Sequence, residues 1–437
     1  MTANREEKVK KIVDRHLAME VKNVLKHFPL DTAERPAAMG YFIESLKTVY
    51  QDGIQIKSDK PVIGTMCVMV PDELIYAVGG VPMRLCCGAS ACDQAGAEFL
   101  PAKSCPVVKA TMGLLSANRT YLQKEIKAIV IPSTCDQKKK SAEMLKSMGY
   151  EVLLLEMPSS VHSEHGRHYW HESVIHLTRS LEKVSGTRIT VSRLRQAIAK
   201  VGTASKQFRE LNKLRKQTLP VTSGSDVLLV NNTYFIDRIE NWTKAVKALN
   251  DELYTRSLQS MGAGFRMAPR ILLTGSPPIF PNLKVPLLVE ESGAVIVADE
   301  VCSCTRLLYD TVTYDEEALY DMIPAVADRY LKTSTCPCFT PNTNRQRRLM
   351  EMVAEAEIDG VVYQAYSGCM PYEMEQKAIA DALTKKGVPM LYVETDYSPE
   401  DMGQLSTRVE AFLESIRTKR RKSRVNGARQ QIREEAV

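Results

Sequence analysis

The stretch Lys127-Ala-Ile-Val-Ile-Pro132, Ser133-Thr-Cys135, the helical pattern from Lys138 to Met148, Gly149-Tyr150 and Val152-Leu-Leu-Leu-Glu156 decides the fold. A short apolar run bounded by turn residues reads as a strand buried on both faces, the mark of a parallel sheet. The helix, its Gly-Tyr stop and the second apolar run complete a strand–helix–strand unit. The pattern extends upstream. Val62-Ile-Gly-Thr-Met-Cys67 and Val81 to Leu85 read as strands, and between them Pro71-Asp-Glu-Leu-Ile-Tyr-Ala-Val78 opens a helix with Pro and acids in its first turn.

The same order returns 200 residues later. Arg270-Ile-Leu-Leu-Thr-Gly-Ser276 reads as a strand running into a tight turn, followed by strands at Val295 to Ala298, Val361 to Tyr366 and Met390-Leu-Tyr-Val-Glu394, with a helix from Tyr372 to Lys386. The spacing predicts an α/β protein of two duplicated Rossmann-like or flavodoxin-like parallel-sheet domains with additional helical segments. The predicted divisions are a helical segment at 1–60, with Ile12, Leu17, Val21 and Val24 at helical spacing, and a first α/β domain at 61–164. A helical region at 165–267 follows, with Leu177 to Val184, Ser192 to Val201 (Ser192 as N-cap) and Asn241 to Leu258. A second α/β domain occupies 268–416, and 417–437 reads as a basic, solvated, disordered tail.

Composition narrows the function. With 437 residues, 44% hydrophobic and 25% charged, the chain is an ordinary globular protein. No apolar run reaches about eighteen residues and the charged N-terminus lacks a signal-peptide apolar region, which predicts a cytoplasmic protein with no membrane partner. The net charge of +6 is carried by the last residues, where eight Lys/Arg from Arg417 onward face two Glu. The body is formally neutral, so a nucleic-acid partner is not expected.

Eleven cysteines in a reducing compartment point to metal or redox chemistry instead of disulfides. Each half carries three in the same order: Cys86, Cys105 and Cys135, then Cys302, Cys336 and Cys369. Ligands of open parallel sheets bind beyond the C-terminal strand ends. Cys67, Cys86, Cys135, Cys302 and Cys369 all lie within three residues of such an end, while Cys105 and Cys336 precede Pro. Separations of about 20 to 35 residues differ from the close pairs of zinc sites and favour an iron–sulfur centre fed from separate loops. Cys67 competes with Cys86 for one place, and Cys338 is a substitute for Cys336. Cys87, Cys92 and Cys304 have no counterpart in the other half and read as small buried hydrophobes.

Other residues are weighed on the same terms. Lys138, Lys139 and Lys140 start a helix beside Cys135, where Lys138 and Lys139 can offset the charge of a cluster or meet a partner. Glu300 and Glu394 end strands near the expected cleft and are candidate proton donors. His162, His165, His168, His171 and His176 allow a metal site, but Gly166 and its charged neighbours favour a loop entering a solvated helix. Gly262-x-Gly264 lacks the third glycine and the preceding strand of a dinucleotide site. The chain has no G-x-x-x-x-G-K-[ST] phosphate loop.

Several motifs carry a resemblance. They are Pro71-Asp-Glu-Leu-Ile-Tyr-Ala, Thr134-Cys-Asp-Gln-Lys-Lys-Lys140, Gly293-Ala-Val-Ile-Val-Ala-Asp-Glu-Val-Cys302, Asp359-Gly-Val-Val with Cys369, and Glu394-Thr-Asp-Tyr-Ser398. Spread over residues 60 to 410, they resemble the 2-hydroxyacyl-CoA dehydratase/benzoyl-CoA reductase family, and within it the double-cubane cluster proteins. One departure is Gln137, where the related motif has Gly. The resemblance implies a cluster held by Cys105, Cys135 and Cys369. In the double-cubane branch it implies an [8Fe–9S] centre needing six cysteines, a count that Cys302, Cys336 and Cys86 or Cys67 complete. It also implies an ATP-hydrolysing activator with its own [4Fe–4S] cluster as electron donor, a small-molecule substrate, a homodimer and sensitivity to oxygen. The expected function is an iron–sulfur reductase. The alternatives are a 2-hydroxyacyl-CoA dehydratase subunit with a single [4Fe–4S] cluster, or a non-catalytic electron-transfer protein.

Overall fold

A computed structural model describes residues 3–30, 35–51, 53–56, 58–261, 266–308 and 310–435, with side chains described within 6–422. The pair Gly262 and Gly264 lies outside the described residues. In the first half the elements are α1 (Ala3–Leu25), α2 (Met39–Tyr50), β1 (Val62–Thr65), α3 (Asp72–Ala77), β2 (Val81–Arg84), α4 (Ser90–Gly96), α5 (Pro106–Ala117), α6 (Arg119–Glu125), β3 (Ile126–Pro132), α7 (Asp136–Ser147) and β4 (Val152–Leu155). Four helices follow: α8 (Glu164–Ser185), α9 (Val191–Lys216), α10 (Gly224–Tyr234) and α11 (Ile239–Leu258). The second half comprises β5 (Arg270–Gly275), α12 (Lys284–Glu291), β6 (Val295–Glu300), α13 (Thr305–Leu308), α14 (Leu319–Lys332), α15 (Thr343–Glu355), β7 (Gly360–Tyr366), α16 (Met370–Lys385), β8 (Met390–Thr395) and α17 (Met402–Glu435).

The eight strands form two parallel sheets with the same order, β2-β1-β3-β4 and β6-β5-β7-β8. Central strands β1 and β5 are buried along their whole length, which is why they read as continuous apolar runs. Gly64 of β1 lies opposite Met83 on one side and Ile129 on the other, and Leu273 of β5 opposite Asp299 and Val362. Each sheet reverses its build direction at its second and third strands in space, so each has a switch point between β1 and β3 or between β5 and β7. Gly275, at φ +106°, makes the tight turn at the end of β5. A Cβ there would meet the Gln364 carbonyl oxygen at 1.9 Å.

Two corrections to the sequence reading concern the helices. The helices between 164 and 258 pack on both sheets. Trp170, Val174, Leu177 and Leu181 of α8 pack on one face of the first sheet with Ile63, Ala128 and Val130. Later helices share one continuous core with both sheets, from Phe208 and Trp242 to Ile271 and Ile296. Thr190, whose hydroxyl accepts from the Arg193 N–H at 3.3 Å, is the N-cap of α9, not Ser192. Gly166 lies inside α8, which starts one residue after its cap Ser163.

The stretch from Arg417 is not an irregular tail. α17 runs unbroken to Glu435 and presents Leu405, Val409, Leu413 and Ile416 as a buried stripe at helical spacing. Its first basic residues are anchored on backbone carbonyls: Arg417 donates to Ser292 at 2.8 Å, Lys419 to Gly387 at 2.8 Å and Arg420 to Ala268 at 3.1 Å.

α14 of the second half leans on α8 and α3 of the first and ties the halves together. Trp170 donates its indole N–H to Ala327 at 2.8 Å, and Arg167 and His171 both pair with Asp328. His171 is thus part of an inter-helix ion cluster. The Tyr330 hydroxyl accepts from the Asp72 N–H at 3.1 Å and donates to Glu73 at 2.8 Å, while Tyr234 donates to Asp72 at 3.0 Å. Burial raises the Asp72 carboxyl to about 6, helped by Glu73 and opposed by Arg84, Tyr234 and Arg329. The raised value means that folded protein binds this proton more tightly than unfolded chain. Asp72 therefore costs stability progressively as pH rises from about 4 to above 6, by roughly 3 kcal/mol in total. Urea titrations of Asp72→Asn should show the variant gaining on wild type by up to about 3 kcal/mol between pH 4 and pH 7.5. A difference independent of pH would contradict this placement.

Candidate metal centre

The C-terminal ends of the two sheets face one cleft of about 1220 Å³. The segments that follow β1, β3, β4, β5, β6 and β7 all line it. Cys67, Cys105, Cys135, Cys302, Cys336, Cys338 and Cys369 are on its wall, and all are free thiols. Cys86, which follows β2, is half-buried and does not line the cleft, whereas Cys67, which follows β1, does. Cys87, Cys92 and Cys304 are buried away from it, Cys92 beside Cys87 and Cys304 beside Asp299.

The thiols fall into two trios, each with two members from one half and one from the other. Cys105, Cys135 and Cys369 form the first. All three are N-cap residues, of α5, α7 and α16, so three helix N-termini converge on them. Cys105 is held below its ordinary range, first by the thiol hydrogen bond from Cys369 and then by the N–H groups of Val107 and Val108 against the effect of burial. Cys369, the donor, is pushed up by the same contact and by burial. Cys135 is raised by burial, against the Lys138 cation and its backbone N–H.

Cys302, Cys336 and Cys67 form the second trio. Burial pushes Cys302 up to about 12, with the neighbouring Cys67 and Cys336 adding to the rise and Arg306 and Lys138 opposing it. Cys336 is lowered to about 6 by a hydrogen bond from the Cys338 thiol and by Arg306. Cys338 is thus the hydrogen-bond partner of Cys336, and both line the cleft.

Lys138 stands between the trios. Burial would lower its pKa, but the Cys67, Cys135, Cys86 and Cys302 thiolates raise it well above the ordinary lysine range. A lysine in the first turn of a helix opposes the macrodipole; here it stands beside sulfurs that can supply the compensating charge once ionised. Lys139 also lines the cleft but is exposed and pairs with Asp136 at 3.2 Å, and Lys140 is exposed.

The structure places the two candidate proton donors differently. Glu394 is exposed on β8 and does not line the cleft. Glu300 lines it but is a locked anion: Arg306 and Arg345 both pair with it, and Thr335 and Thr274 donate to it. Burial would raise its carboxyl, and the two guanidiniums more than offset that, leaving it lowered. Glu300 anchors the second trio, since it sits two residues before Cys302 and holds Thr335, the neighbour of Cys336.

The carboxyl that sequence reasoning missed is Glu375. It lines the cleft half-buried on α16, accepts from Asn342 at 3.1 Å, and is raised by burial against Arg345 and Arg306. Arg306 and Arg345 also stack on Tyr372, 5.8 and 5.5 Å from its ring centre. Their positions in the chain carry no signal of this convergence. Among the described residues no three His, Cys, Asp or Glu side chains close on a single ion, and the histidines of α8 form no metal site there.

The family model for the 2-hydroxyglutaryl-CoA dehydratase D-component, HGD-D, matches residues 67–416. The chain belongs to this family. YjiM of Escherichia coli strain K12, provisionally named a dehydratase subunit, is 31% identical over 387 residues, covering 87% of this chain and 98% of YjiM. A benzoyl-CoA reductase subunit from Thauera aromatica is 25% identical, over 82% of this chain and 91% of its own. The (R)-phenyllactyl-CoA dehydratase beta subunit of Clostridium sporogenes is 23% identical, over 81% and 91%. The HGD-D match begins at Cys67 and ends at Ile416, so it takes in every strand but β1 and every cysteine of the cleft. Among the described residues no helix is long and apolar enough to cross a membrane.

In this HGD-D chain Glu300→Gln should lower the unfolding free energy of the metal-free protein by about 3–5 kcal/mol, because buried Arg306 loses its counter-charge and Arg345 is left with Glu375 alone. Glu394→Gln should stay within about 0.5 kcal/mol of wild type. A Glu300→Gln protein of unchanged stability that lost only activity would restore Glu300 as a proton donor.

Proposed function

We propose that this protein is an iron–sulfur reductase. In this reading it takes low-potential electrons from an ATP-hydrolysing [4Fe–4S] activator and reduces a small molecule at a double-cubane [8Fe–9S] centre between its two domains. The observation that carries the reading is the pair of thiol trios facing one cleft with a buried lysine between them. Soft thiolates suit iron–sulfur clusters. Their arrival from opposite walls suits a centre of many atoms better than a single metal.

Cys105, Cys135 and Cys369 would hold one half of the centre and Cys67, Cys302 and Cys336 the other. When bound, such a centre supplies one-electron reduction at potentials reaching about −700 mV. The chain's own contribution is electrostatic and steric. Helix N-termini and Lys138 offset the negative charge of the thiolates. Glu300, through Arg306 and Arg345, fixes the loops of the second trio. Glu375 holds a proton at the cleft wall at a higher pH than an exposed glutamate does. The absence of a phosphate-loop motif in the sequence leaves ATP hydrolysis to the partner. That relatives are named as subunits supports a multicomponent system.

The second reading is a dehydratase subunit with a single [4Fe–4S] cluster on Cys105, Cys135 and Cys369. It is favoured by the dehydratase names among the relatives and by the confinement of helix N-caps to that trio.

Anaerobic iron and sulfide analysis separates the two: roughly eight irons per chain support the double cubane, and about four sink it. Cys302→Ala should lose about half of the iron or all of it, while Cys86→Ala should lose none. With activator and ATP, Glu375→Gln should reduce acetylene roughly a hundredfold more slowly at unchanged iron content. Equal rates would remove Glu375 as a proton source.

A further inference from the structure

Gln137 is the position at which the motif after Cys135 departs from the related one, and its side chain joins the two halves at the ligand loops themselves. Its carbonyl oxygen accepts from the Cys105 N–H at 2.8 Å, and its amide nitrogen donates to the Gly368 carbonyl at 3.0 Å. Cys105 belongs to the first half, and Gly368 directly precedes Cys369 of the second. The two loops are also pressed together. Gly368 has φ +82°, and a Cβ on it would stand 2.0 Å from the Lys103 carbonyl oxygen. Its N–H donates to Glu373 at 2.6 Å, which holds the turn from the other side. Gln137 is itself held in the first turn of α7, where the Ser141 hydroxyl donates to its carbonyl at 2.8 Å.

From this geometry we infer that Gln137 is a positioning residue. It sets Cys105 and Cys369 side by side across the domain boundary before any metal arrives. The task needs a side chain that accepts at one end and donates at the other. Glutamate keeps the first bond and loses the second, methionine keeps the length and loses both, and glycine provides neither. Asparagine is one methylene too short to span the same two groups. The direct consequence is the contact already described between the two thiols, in which Cys369 donates to Cys105. The inference deepens the cluster reading and rests on it for the purpose of the contact, but the contact itself is a property of the metal-free chain.

The test is therefore made on the full-length, metal-free, reduced protein. Dibromobimane joins neighbouring thiols, and peptide mapping by mass spectrometry separates the Cys105–Cys369 product from Cys336–Cys338. The latter pair shares one loop and is the internal reference. Relative to that reference, Cys105–Cys369 joining should fall about fivefold or more in both Gln137→Met and Gln137→Glu, the size expected for a lost hydrogen bond. A ratio equal to wild type overturns the inference, and so does an equal fall in both pairs, since the effect would then not be local. In protein reconstituted with iron and sulfide, Gln137→Met should release iron to a chelator about fivefold faster than wild type; equal rates overturn the positioning role toward the cluster. If wild-type protein takes up no iron, the cluster reading fails on its own, and the joining ratio still decides whether Gln137 sets the two thiols together.

Discussion

Sulfurs gathered in one partly buried cleft repel each other and resist desolvation once ionised, and the rest of this structure is arranged around that cost. Three devices offset it. Helix N-termini are aimed at Cys105, Cys135 and Cys369. The Lys138 ammonium stands among thiols from both halves. Arg306, neutralised on one side by Glu300, faces Cys302 and Cys336 on the other. Each device depends on the parallel sheets, because only the C-terminal ends of parallel strands bring loops and helix starts to one side. Two copies facing each other double the supply.

Facing two domains creates a second requirement, since a site shared between them is only as well defined as their mutual placement. The halves are fastened at both margins of the cleft. On one side α14 of the second half lies against α8 and α3 of the first, with Trp170, Tyr330 and Asp328 as fixed points. On the other, the Gln137 amide and the glycine at 368 bring the ligand loops into contact. The continuous core running from the first sheet through α9, α10 and α11 to the second completes the frame. A hinge motion of the kind common between weakly joined domains would have to break buried contacts on every side.

All eight strands are legible in the chain because buried parallel strands leave short apolar runs ending in turn residues, and the duplication shows as a repeated order of such runs. Their lateral order is not legible in the same way. Cys67 and Cys86 each follow a strand, yet only Cys67 lines the cleft. Glu300 and Glu394 illustrate the same gap for charge. Both end strands in similar contexts, yet one meets Arg345, 45 residues away, and the other meets solvent. A carboxylate's role is set by partners that only the tertiary fold supplies. The basic end of the chain misleads for a different reason: its charge suggests solvation, but Arg417, Lys419 and Arg420 continue a helix whose preceding turns are apolar on one face.

The two trios are alike in number and origin but not in what surrounds them. The first is stabilised by backbone: helix N-termini, and the N–H groups of Val107 and Val108 on Cys105. Such dipoles are fixed by the fold and cannot be neutralised by a change of protonation. The second is stabilised by side chains, chiefly Arg306, whose charge is shared with Glu300, and by the Cys338 thiol that donates to Cys336. Among the described residues no eight-residue helix begins at any member of that trio. The duplication therefore reproduced the strands and the cysteines without reproducing their electrostatic setting. A site built from two copies of one plan is in this respect asymmetric, and Lys138, which answers to thiols of both trios, is the point where the two settings meet.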